Sequence, residues 1–118
     1  VPISRLAECV HETRADIDRL GLVAPIVGHV GDGNFHVGPM IDMDSPAELA
    51  AVAEFLERLV ERALRMEGTC TGEHGVGQGK MKYLDAEYGP AAMEAMRAIK
   101  RALDPQNLMN PGKIITFC

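Results

Sequence analysis

The chain of 118 residues carries 12 Lys and Arg against 17 Asp and Glu, a formal net charge of −5. That sign excludes nucleic acid as a partner, because phosphate backbones call for a basic surface. No apolar run reaches the ~20 residues that span a bilayer, nothing resembles a signal peptide, and three cysteines (Cys9, Cys70 and Cys118) without regular spacing make no disulfide framework. Free thiols point to reducing surroundings, and the expected location is the cytoplasm.

At 47% hydrophobic residues the chain can fill the core of one domain, taken as residues 1–118. Aromatic residues make up only 4% and Trp is absent, so the core is expected to be aliphatic, with seven Met as gap fillers. Leu6, Val10, Ile17 and Leu20 recur at helical spacing, with Ser4 as N-cap and Gly21 as stop. Val23 to Val30 and Phe35 to Ile41 are short apolar runs that predict strands, joined by the turn signal Gly31-Asp32-Gly33-Asn34. Ser45, Pro46 and Glu48 form a capping box with Pro at the first helical position. The helix they open presents Leu49, Val52, Ala53, Leu56, Leu59, Val60, Ala63 and Leu64, and Gly68 ends it. Thr69 to Thr71 predicts a short strand. Gly89-Pro90 opens a further helix with Met93, Met96, Ile99, Ala102 and Leu103 on its face. Asp104-Pro105 closes it, because the residue before Pro is driven from helical geometry. Ile114 to Phe117 predicts a last strand. The order α-β-β-α-(β)-α-β predicts an α+β fold: a small antiparallel sheet with a histidine-bearing hairpin, and helices on one face.

Three of the four histidines lie in two glycine-rich segments. In Gly28–His36 (GHVGDGNFH), a two-residue Asp32-Gly33 loop of type I′ would pair His29 directly with His36. Their Cβ atoms would then sit ~4.5–5.5 Å apart on one sheet face, where two imidazoles can share a cation. In Gly72-Glu73-His74-Gly75, an extended backbone would point Glu73 and His74 opposite ways, one to a metal and one to a substrate. Two imidazoles, a carboxylate and an open position suit Zn²⁺, Mn²⁺ or Fe²⁺. His11 falls among charges in mid-helix and is expected to face solvent. Cys70 is expected to be a small buried hydrophobe, and Asp32 is explained by the turn. Gly75-x-Gly77-x-Gly79-Lys80 lacks the spacing of a phosphate loop.

The segments GHVGDGNFH (Gly28–His36), CTGEHGVGQGK (Cys70–Lys80) and LDPQNLMNPGKI (Leu103–Ile114), with VPISRL at the start, resemble the C-terminal part of FAD-linked 2-hydroxy-acid dehydrogenases of the vanillyl-alcohol-oxidase type. Phe35 before His36 and Leu108-Met109 before Asn110 are most similar to the cytochrome-linked D-lactate branch, with the glycolate and D-2-hydroxyglutarate branches near it. The resemblance implies oxidation of a D-2-hydroxy acid to the 2-oxo acid, with hydride passing from C2 to the flavin of FAD. It implies that His29, His36 and Glu73 hold a divalent metal (Zn, Mn or Fe), that His74 is the general base, and that Asn110 approaches the flavin. Gly38 stands where several members place a substrate-contacting Asn. The FAD-binding domain, with its pyrophosphate loop and substrate-anchoring basic residues, is expected upstream as a partner of this segment. Residues 1–118 would then be the end of the cap domain plus a flavin-approaching tail from about 104 to 118, inactive alone. Apolar surface left uncovered by that partner is expected to favour self-association, and an electron acceptor could hold the whole protein at a membrane surface. The same residues could serve a free-standing metal-binding module or a metal-dependent hydrolase; the Asn-Pro-Gly-Lys tail discriminates, because a hydrolase has no use for a flavin contact.

Overall fold

The computed structural model describes residues 1–117, in the order α1 (Ile3–Arg19), β1 (Ile26–His29), β2 (Asn34–Val37), α2 (Pro46–Arg65) and α3 (Leu84–Leu103). Two units separate between Gly72 and Glu73. The first contains α1, α2 and the sheet, and the second contains α3 and the tail. The fold class is α+β, with one two-stranded antiparallel sheet among the described residues. No helix among them is long and apolar enough to cross a membrane.

Local chemistry sets the ends of the helices. α1 begins one residue before Ser4, with Pro2 at the cap position and no side-chain cap. The serine expected as N-cap is therefore inside the helix, because Pro2, with its fixed φ, already sets the entry. Gly21 stops it in left-handed geometry at φ 66°. In α2 Ser45 Oγ accepts from the Glu48 N–H at 3.4 Å. The returning half of the expected box goes elsewhere, since the Glu48 carboxylate accepts from the Asp42 N–H at 2.9 Å. α3 is interrupted at Gly89 (φ 78°, ψ 166°), so its main segment starts at Pro90, and one helical turn precedes the break.

The core of the first unit is Ile17, Ala24 and Phe55, with Leu20, Leu22, Ile26, Val37 and Leu59 packed around it. Ile26 and Val37 are direct cross-strand partners, so both helices cover one face of the hairpin. The inner side of α2 is only partly the expected one: Val60 is buried and Leu59 packs on the core, but Phe55 and Arg62 are buried as well, whereas Leu49 and Leu56 are each 39% exposed. Arg62 had no place on an apolar stripe, yet it is only 5% exposed because α1 supplies its acceptors. It donates from Nε to Glu12 at 3.1 Å and from a terminal nitrogen to Thr13 Oγ1 at 3.1 Å, and it pairs with Asp16. Arg58 adds a bond to Asp16 at 2.9 Å.

Burial works to raise the Asp16 carboxyl, but the hydrogen bonds of Arg58 and Arg62, then the Arg62 charge, outweigh it and hold it at about 2. The folded value lies below the ordinary 3.8, so the stabilisation is present above that value and is lost as pH falls towards 2. Acid titration followed by circular dichroism should show a loss of roughly 2 kcal/mol in that window. Asp16→Asn should flatten it, and an unchanged profile would count against the network.

Two expected strands do not form. At Thr69–Thr71 the two hydroxyls meet at 3.2 Å and Thr69 Oγ1 accepts from the Thr71 N–H, which curls the backbone into a turn. In the tail Ile114 takes a left-handed φ of 67°, and its N–H bonds to the Gly77 carbonyl at 2.8 Å instead of to a strand.

Candidate functional site

The hairpin carries two of the predicted residues, but in a different register. Val30–Asp32 form a 3₁₀ turn and Gly33 follows at φ 67°, so the loop has four residues and not two. Asp32 does not take the positive φ that a type I′ turn needs at both centres. A Cβ on Gly33 would lie 2.0 Å from the Val1 carbonyl oxygen, so glycine is required there sterically as well as by φ. The partners are His29 with Asn34 and Val27 with His36, which corrects the expected direct pairing of the histidines.

The register differs by two residues, and a shift of two keeps every side chain on its face. His29, Asn34, Val27 and His36 therefore share the face opposite the core, and the histidines are diagonal neighbours. Long and aromatic side chains reach each other across a diagonal. The two rings meet edge to face, with centroids 5.4 Å apart and planes at 87°. Gly28 permits the tight pairing on the core side, since a Cβ there would sit 2.6 Å from the Asn34 carbonyl oxygen. His29 is exposed and His36 half-buried. Gly72, the last residue of the first unit, lies against this same face, its Cα hydrogen side directed at Asn34 Oδ1.

Glu73 and His74 open the second unit. They lie in a turn, not an extended segment, so alternation does not divide them. His74 Nε2 is 3.8 Å from Glu73 Oε1, and both side chains are exposed. The tail returns to the segment that follows them through the Ile114–Gly77 bond. Asn110 is exposed in left-handed geometry at φ 48°. The turn before it is held by Asp104, which sequence reasoning took only as a helix terminator. An acidic residue directly after the helix, four residues from Lys100, was the signal for it. His11 is exposed on α1 and Cys70 is buried, both as expected.

Residues 1–114 match the family model described as FAD linked oxidases, C-terminal domain. The chain is 53% identical over 115 residues to a probable D-lactate dehydrogenase, mitochondrial, of Danio rerio, covering 98% of this chain and 23% of that protein. It is 49% identical to D-lactate dehydrogenase [cytochrome] 1, mitochondrial, of Saccharomyces cerevisiae, covering 97% of this chain and 19% of the relative. Identity to glycolate oxidase subunit GlcD of Bacillus subtilis is 36%, over 97% of this chain and 24% of that protein. The chain thus spans about a fifth to a quarter of the length of these relatives. The mitochondrial relatives overturn the expected cytoplasmic location. Free thiols separate reducing from oxidising surroundings but do not tell one reducing compartment from another. Taken with the paired histidines and the returning tail, the match over residues 1–114 shows that the chain belongs to the family of FAD-linked oxidase C-terminal domains.

Proposed function

We propose that this chain is the metal-binding, proton-accepting part of an FAD-dependent dehydrogenase that oxidises D-lactate or a similar D-2-hydroxy acid to the 2-oxo acid. The observation that carries this reading is the edge-to-face pair His29–His36 on the open face of the hairpin, within a chain matched by the family model. The donor set suits a divalent cation. Two imidazoles at this separation can turn one nitrogen each to a common point, and a carboxylate completes a set typical of Zn²⁺, Mn²⁺ or Fe²⁺. In this reading His29, His36 and Glu73 would hold it.

A cation held there would supply Lewis-acid polarisation of the substrate hydroxyl and carboxylate, and FAD of the full-length protein would supply the hydride acceptor. His74 takes the hydroxyl proton on a ring nitrogen, as a neutral imidazole can. Asn110, exposed in the tail, would contact the flavin. The upstream FAD-binding domain is the partner that completes the site. His29→Ala and His36→Ala in the full-length protein should each lower the metal content by at least about tenfold, in line with the loss of a ligand. A chelator should inhibit D-lactate oxidation. Full metal content and turnover in both variants would make the pair structural.

A further inference from the structure

We propose that Asp104 is a positioning residue, clamped by Lys100, that fixes the Leu108–Asn110 turn and so aims Asn110. This rests on the reading of Asn110 as the flavin contact. Asp104 is the first residue past α3 and is 5% exposed. Its Oδ1 accepts from the Leu108 N–H at 2.8 Å and its Oδ2 from the Met109 N–H at 2.9 Å. Lys100, one helical turn back, pairs with Oδ2 and also donates to the Met109 carbonyl at 2.5 Å. Both polar groups of Met109 are thereby held, and the peptide entering Asn110 has a fixed orientation.

Side-chain packing does not explain the turn, because Leu108 is 72% and Met109 58% exposed. Asn107 and Asn110 both adopt left-handed backbone, at φ 52° and 48°. Asn is one of the few L-residues that take this geometry at low cost, so both positions suit a tight turn. The hydrogen bond from Lys100, helped by those from Leu108 and Met109 against burial, holds the Asp104 carboxyl below its ordinary range. The ionised carboxylate can accept on both oxygens at once, which an amide cannot.

The test uses the full-length flavoprotein. Asp104→Asn should speed hydrogen exchange at the Leu108 and Met109 amides by about tenfold or more. It should slow flavin reduction by D-lactate by about 10–100-fold, as a small misplacement at a reacting centre does. KM for D-lactate and FAD content should stay unchanged. Lys100→Gln, which breaks the same pair from its more exposed end, should reproduce both effects, and Lys100→Arg should restore them. Asn110→Gly, which removes the side chain and keeps the left-handed backbone, should slow reduction equally without faster exchange, and the Asp104→Asn/Asn110→Gly double variant should be no slower than either single. Unchanged exchange in Asp104→Asn and Lys100→Gln would refute the clamp. Additive rate losses would show that Asp104 acts apart from Asn110 and overturn the positioning role. Normal reduction in Asn110→Gly alongside faster exchange in Asp104→Asn would refute the flavin contact and the positioning role with it, while leaving the clamp as a structural feature.

Discussion

His74→Ala in the full-length protein is expected to abolish flavin reduction by D-lactate while bound metal persists. In the proposed reaction the substrate hydroxyl loses its proton as C2 gives up hydride, and a positioned base contributes about 10²–10⁴-fold to such a step. His74 is exposed in a glycine-flanked turn, where small neighbours leave a substrate room to approach. Glu73 lies 3.8 Å from it and is the proposed ligand. The two roles therefore separate by measurement. Stopped-flow flavin reduction should fall by about 10²-fold or more, and elemental analysis should find metal at the level of the unaltered protein. Glu73→Gln should show the converse order, with metal lost first. If His74→Ala loses metal and keeps proton transfer, the roles of the two neighbours are exchanged. If it retains both, neither role belongs to His74.

The second large effect is on stability. Arg62→Ala should destabilise the Val1–Gly72 unit by about 3 kcal/mol, near the lower end for breaking a buried ion pair. Arg62 is 5% exposed and satisfies Glu12, Thr13 and Asp16 together. Its removal leaves Asp16 buried, but Arg58 and Arg19 remain hydrogen-bonded to that carboxylate, which limits the loss. Replacing both partners with apolar residues, as in Asp16→Leu/Arg62→Met, should recover much of the loss, because no uncompensated charge is then buried. Urea denaturation followed by circular dichroism measures both. A loss under about 1 kcal/mol for Arg62→Ala would place the pair with ordinary surface ion pairs.

The features legible in the sequence were those whose physics is local. Gly21, Ser45-Pro46-Glu48, Gly89-Pro90 and Asp104-Pro105 each act on their own few residues, and helix limits fall at or within a residue or two of them. The shared face of His29 and His36 was also legible. In an antiparallel pair it depends only on parity, and both the expected register and the observed one give the same parity. Loop length was less legible, since Val1 and the rest of the first unit decide how Gly33 is seated.

The apolar stripe of α2 located Leu59 and Val60 on its inner side but not Phe55 or Arg62. Arg62 looks like a surface charge until Glu12, Thr13 and Asp16 of α1 are brought against it. Asp104 likewise read as punctuation, because its acceptor role needs Leu108 and Met109 to fold back on it. By itself, then, the sequence determined the three helices and the hairpin, the family, and the shared face of two histidines. Only the tertiary structure decided the diagonal register, the turn that brings His74 to 3.8 Å from Glu73, and the buried polar groups. Parity and capping are properties of adjacent residues, whereas burial of a charge is favourable only when distant segments supply its partners.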